Sequence, residues 1–161
     1  MAGCATTGPS LSTPSFRADE VAWAKGPGKN TIRGSAILRT NGGETRTCAG
    51  AAVAVIPDSA FTRDRMQNLY GGSERGVNDL AYGAARKVDP APPEYARTVR
   101  QTTCDIKGNF LIEGVPDGTW YVTTAVTWFA RGNDPLTQVG TAFMRRIAVS
   151  GATTVTIVFA P

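Results

Sequence analysis

Residues 102–128, TTCDIKGNFLIEGVPDGTWYVTTAVTW, alternate turn and strand and set the fold class. Asp105-Ile106-Lys107-Gly108-Asn109 is turn chemistry, with Gly108 free to take a positive φ. Phe110 and Ile112 then alternate with Leu111 and Glu113, the period of a half-buried strand. Gly114-Val115-Pro116-Asp117-Gly118 is a second turn, with Pro pre-setting φ. Trp120, Val122, Thr124, Val126 and Trp128 fall on one face of a longer strand, and Tyr121 faces the other way. Antiparallel hairpins of this kind predict a β-sandwich.

Working outward, the first strand is expected at about 31–39 and the second at about 49–56, joined across Thr40-Asn41-Gly42-Gly43-Glu44. Residues 129–138, containing Gly132-Asn133-Asp134-Pro135, read as a loop. Strands follow at 139–149 and 153–159, and in the last of these Val155, Ile157 and Phe159 share a face. Val21-Ala22-Trp23-Ala24 reads as a short strand or a patch packed on the sandwich. A chain of 161 residues is expected to form one domain with a real core. The expected organisation is a flexible tether over 1–20 and a single sandwich over 21–161.

An insert spans 57–100. Within it, Thr62-Arg63-Asp64-Arg65-Met66-Gln67-Asn68-Leu69-Tyr70-Gly71 predicts a short helix. Thr62 is read as its N-cap, Phe61 and Met66 as a hydrophobic staple, and Gly71 as its stop. Met66, Leu69 and Tyr70 share a face, which predicts docking on the sandwich. Residues 71–83 read as a glycine-rich loop, and Asp89-Pro90-Ala91-Pro92-Pro93 as extended chain. Long inserts are either functional loops or packed structural additions.

The run Asp105, Gly108, Phe110, Gly114, Val115, Pro116, Gly118, Trp120 and Val122 resembles the pattern of prealbumin-like, or carboxypeptidase regulatory-like, domains. Thr31 to Leu38 and Ala51 to Pro57 resemble that family's first two strands. The resemblance covers 31–56 and 101–160. It implies a mainly β chain, an antiparallel, seven- to eight-stranded prealbumin-like sandwich with a short helix in a long insert. Cys48, Ile56-Pro57, Phe61-Thr62 and Tyr70-Gly71 resemble a bacterial envelope-lipoprotein subgroup of these domains. Such domains serve as carriers, adhesin stalks, peptidase accessory modules and lead-in domains of outer-membrane receptors, so the resemblance speaks to fold more than to function.

Met1-Ala2-Gly3-Cys4 resembles the end of a bacterial lipoprotein signal, followed by a Ser/Thr/Pro/Gly tether. The expectation is lipidation at Cys4 and an outer-membrane lipoprotein of the bacterial envelope; an incidental cysteine in a disordered start is the other reading. Cys48 and Cys104 precede strands whose entrances can lie at one end of such a sandwich. A disulfide between them is expected, with two free thiols or a metal pair as alternatives. The metal reading is weak because the chain has no histidine and no C-x-x-C.

The absence of histidine removes Ser-His-Asp triads, Cys-His dyads and His-based zinc sites. No Walker-type loop occurs. Asp105, Glu113 and Asp117 lie close in sequence, but Asp105 and Asp117 occupy turns where Asp is expected without catalysis. The net charge of +4 is spread: residues 1–50 carry six basic against three acidic, residues 51–100 seven against six, and residues 101–161 four against four. Nucleic acid is therefore not an expected partner. No apolar run approaches the roughly 20 residues of a membrane-spanning helix. No cofactor is expected.

The leading expectation is a non-enzymatic accessory or scaffold lipoprotein that binds another envelope protein or assembly through the insert. Arg63, Tyr70, Arg75, Tyr82, Arg86 and Tyr95 are its candidate contacts, because Tyr and Arg are enriched at interfaces. The alternatives are a carbohydrate-binding module using Trp23, Tyr121 or the insert tyrosines, and an accessory or inhibitor domain of an enzyme.

Overall fold

A computed structural model describes residues 13–130 and 137–161. Cys4 and the segment Gly132-Asn133-Asp134-Pro135 lie outside the described residues. Nine strands are described: β1 (Asn30–Arg39), β2 (Thr45–Thr47), β3 (Ala52–Pro57), β4 (Arg75–Asp79), β5 (Arg100–Thr103), β6 (Asn109–Val115), β7 (Gly118–Ala130), β8 (Thr137–Val149) and β9 (Thr154–Phe159). One sheet has the order β4-β8-β7-β3-β5. In the other, β1 is central, with β2 and β6 along one side and β9 on the other. The chain is a two-sheet β-sandwich, antiparallel except where β9 runs parallel to β1.

The alternation legible in the sequence places the core. Trp120, Val122 and Val126 of β7, Phe110 of β6 and Ile157 and Phe159 of β9 are buried between the sheets with Ile32, Ala36, Val53 and Val55. Gly34 lies in β1 between Phe110 and Ile157; a Cβ there would collide with the Ile157 carbonyl and the Phe110 ring. Asp105 caps its turn, its Oδ1 accepting from the amides of Lys107 and Asn109 at 2.8 and 2.9 Å. Those bonds hold its carboxyl below the usual range. Gly108 sits in the turn at φ 79°.

Cys48 and Cys104 form a disulfide, with Cα atoms 5.8 Å apart. Both are buried in the main core. The bond joins the turn between β2 and β3 to the residue that follows β5 and closes a loop with a sequence separation of 56.

The insert departs from its sequence reading in three ways. Helix α1 (Ala60–Tyr70) begins before Thr62: Ser59 is the N-cap, its Oγ accepting from the Thr62 amide at 3.1 Å. Thr62 is fully buried and donates to the Pro57 carbonyl. Phe61 and Met66 both lie inside the helix, so they form no staple across its start. Gly71 does end it, in the left-handed region at φ 75°. The second departure is β4. Residues 75–79 are a strand on β8, not part of a loop. Gly76 is required by close approach, since a Cβ would strike the Tyr70 backbone. The third is a second helical turn, α2 (Pro93–Ala96), with Pro at its start.

The outward face of the five-stranded sheet is covered by the insert. Tyr121 and Met144 on the sheet pack with Ile56, Met66 and Tyr95, forming a second core. Phe16 closes it, its ring 5.8 Å from Phe61 and 5.5 Å from Tyr95. The docked chain therefore starts before residue 21. The segment Ala18–Lys25 is a 3-10 helix that buries Val21 and Ala24, the packed patch of the two readings and not the strand. β7 and β8 extend further than expected, with Phe129 opposite Gln138 and Ala130 opposite Thr137.

Candidate functional site

The two sheets differ in width, and this difference makes a cleft. β9 ends the smaller sheet on one side, and Phe159 of β9 packs on Phe143 of β8 with ring centroids 5.7 Å apart. β4 extends the larger sheet beyond that contact. Its inward residues Arg75, Val77 and Asp79 stand opposite Arg145, Phe143 and Thr141 of β8. The resulting cleft has a volume of about 1070 Å³. Leu38, Trp128, Phe143 and Phe159 give it an apolar floor. Thr40, Asn41 and Gly42 of the β1–β2 hairpin and the terminal Ala160-Pro161 also line it. Val77 is 46% exposed, and Trp128 is partly buried against the main core.

Charge in the cleft is uneven. Arg75 and Arg145 are directly opposite on adjacent strands. Neither makes an ion pair or side-chain hydrogen bond among the described residues. Arg146, the next residue, faces the other side, and both of its terminal nitrogens are paired. It pairs with Asp58 at 2.9 Å and Glu74 at 3.0 Å, and its guanidinium lies 6.0 Å from the Tyr121 ring centroid. Its hydrogen bond to Asp58 raises its pKa further. Asp79 Oδ1 accepts from the Ala81 amide at 2.9 Å.

Most residues singled out in the insert have partners within the fold. Arg63 donates to Asp58 at 2.8 Å. Tyr70 and Tyr95 pack in the second core, where burial pushes both phenols up in pKa. Arg86 bonds Asn78 through its backbone N–H and C=O and donates from Nη1 to the Val77 carbonyl. The Tyr82 side chain lies outside the described part of the structure. Among those whose side chains are described, Arg75 is the one that reaches the cleft. Tyr and Arg suit both interfaces and packed half-polar layers, and Tyr70 and Tyr95 occupy such a layer here.

The aromatic candidates also move. Tyr121 is fully buried and donates to the Ser73 carbonyl at 2.8 Å. Desolvation pushes its pKa up to about 12. Trp23 is 38% exposed, stacks edge-on against Trp120 at 5.1 Å and lies over Gly118, where a Cβ would strike its ring. Neither forms an open flat platform. Trp128 and the shelf of β4, from which only Arg75 was singled out in the sequence, line the cleft. The signal for Trp128 was present, since it ends the alternating face of β7. Nothing local in the sequence showed that the opposing sheet stops short of it. No group of three or more His, Cys, Asp or Glu able to hold a metal occurs among the described residues. No described helix is long and apolar enough to cross a membrane.

No protein-family model and no curated protein matches the chain. Its fold is similar to a solved one. A crystal structure of a Pseudomonas aeruginosa protein, provisionally described as carbohydrate-binding, superposes with a TM-score of 0.74 at 22% sequence identity. The match covers 93% of this chain and all (100%) of that one. At that identity the likeness establishes a shared fold.

Proposed function

We propose that this chain is a non-catalytic carbohydrate-binding module and that the saccharide lies in the cleft between β4 and β9. The observation that carries this reading is the cleft's composition. A saccharide presents apolar ring faces edged by hydroxyl groups. The cleft offers Trp128 and Val77 as apolar surface and Thr40, Asn41, Asp79 and Thr141 at its margins. A pocket with an apolar floor and a few polar groups is the usual form of a small-ligand site. The Pseudomonas protein of like fold supports the same ligand class. The reading as a partner-binding module through the insert has less support, because Arg63, Tyr70, Arg86 and Tyr95 are engaged internally.

Placement in the bacterial envelope, as a lipoprotein anchored at Cys4, is part of the proposal. The Cys48–Cys104 disulfide supports it, since such bonds persist in oxidising compartments. Binding is tested by calorimetric titration of a panel of oligosaccharides into the wild type and Trp128→Ala. Saturable binding weakened about tenfold or more by Trp128→Ala is the expected result. Binding of a saccharide unchanged in Trp128→Ala moves the site elsewhere, and no binding across the panel defeats the reading.

A further inference from the structure

We propose that the saccharide is acidic, and that Arg75 and Arg145 form the end of the cleft that receives its carboxylate. This deepens the carbohydrate reading and rests on it. Like charges directly opposite on neighbouring strands are destabilising, and side chains in such a pair stand about 5 Å apart at Cβ. Arg75 and Arg145 hold that relation on the inward side of β4 and β8. Both line the cleft, and neither has a carboxylate partner among the described residues. The nearby acids are placed otherwise. Asp58 and Glu74 are bound to Arg146 on the opposite side of the sheet. Asp79 lies four residues along β4 from Arg75, about 13 Å away at strand rise, and opposes Thr141.

Along β4 and β8 the cleft therefore passes from two cations, through the apolar pair Val77 and Phe143, to the polar pair Asp79 and Thr141. Guanidinium groups match a carboxylate in a forked, charge-assisted geometry. A uronate-bearing oligosaccharide supplies the matching order: a carboxylate at the arginines, a ring face over the exposed Val77, and hydroxyl groups toward Asp79 and Thr141. A neutral sugar would leave two unneutralised cations at one end. Arg145 is partly buried, which strengthens its interaction with an anion relative to a freely solvated arginine.

Trigalacturonate, neutral maltotriose and inorganic phosphate, each titrated into the full chain, test the proposal, with Arg75→Gln and Arg145→Gln as variants. Trigalacturonate should bind more tightly than maltotriose, and its binding should weaken as salt rises. Each variant should lower its affinity about tenfold and cut the ratio of trigalacturonate to maltotriose affinity by several-fold. Arg75 is exposed at the sheet edge, so its variant keeps the fold; Arg145→Lys, which retains charge without the fork, should show an intermediate loss. If maltotriose binds as tightly and the variants change nothing, the acidic assignment is overturned and the carbohydrate reading stands. If phosphate alone binds, and the glutamine variants abolish it, the arginines are an anion site and the carbohydrate reading fails. If none of the three binds, both fail.

Discussion

The Arg100 guanidinium lies 5.8 Å from the centroid of the buried Trp120 ring. From that position it donates to three carbonyl groups: Gly114 at 3.2 Å, Ala24 at 3.0 Å and Gly26 at 2.8 Å. One side chain at the start of β5 thus ties the end of β6 and the N-terminal 3-10 segment to the sandwich. Hydrogen bonds from a charged donor contribute about 1.5–3 kcal/mol each at most, and they are not additive. Arg100→Ala should lower unfolding free energy by about 2–4 kcal/mol, and Arg100→Lys by less, in denaturant titration followed by tryptophan fluorescence. A loss below about 0.5 kcal/mol would show that the clamp contributes no more than a surface contact.

Asn30 performs a similar role at the other side of that end. It is fully buried, donates to the Val115 carbonyl at 2.9 Å and to Asp117 Oδ1 at 2.7 Å, and accepts from the Thr153 amide at 2.9 Å. Removing its amide leaves the Val115 carbonyl and the Thr153 amide each short of a partner. Asn30→Ala should cost about 2–3 kcal/mol. Hydrogen exchange at the Thr153 amide should accelerate in the same variant, and protection equal to the wild type would contradict the assignment.

The Cys48–Cys104 bond closes a long loop, and in the chain-entropy model a loop of this size contributes about 4 kcal/mol. The Cys48→Ser/Cys104→Ser double variant should lose roughly 3–4 kcal/mol by chemical denaturation while retaining strand content by circular dichroism. Peptide mapping before and after reduction should assign the bond to these two residues. A double variant with unchanged stability would mean that the constraint acts on an already compact unfolded chain.

Tyr121 makes stability fall at high pH. Its pKa rises from the ordinary 10.0 to about 12 in the folded chain, chiefly through burial. The unfolded state then loses its phenolic proton first. The stabilisation from the protonated phenol is complete below pH 10 and is lost as pH rises toward about 12. Tyr70 and Tyr95 shift in the same direction for the same reason. Denaturant midpoints across this window should fall in the wild type and fall less steeply in Tyr121→Phe. Parallel slopes for the two proteins would assign the alkaline loss to other groups.

What the sequence determined by itself was carried by short-range chemistry. The alternation Trp120, Val122, Val126 placed the core because adjacent strand residues must face opposite ways. Asp105 with Gly108, and Gly71 after the helix, marked turns because few residues satisfy those backbones. The pairing of Cys48 with Cys104 was legible once both were placed at strand entrances. Tertiary structure decided the rest, and for a physical reason: it depends on what lies across the sheet. Tyr121 was known to oppose Trp120, but burial under α1 and Phe16 made it core. Arg145 and Arg146 are adjacent in sequence and identical in type. Strand pleat sends Arg146 to the acids under the insert and Arg145, opposite Arg75, into the cleft left where the smaller sheet ends at β9.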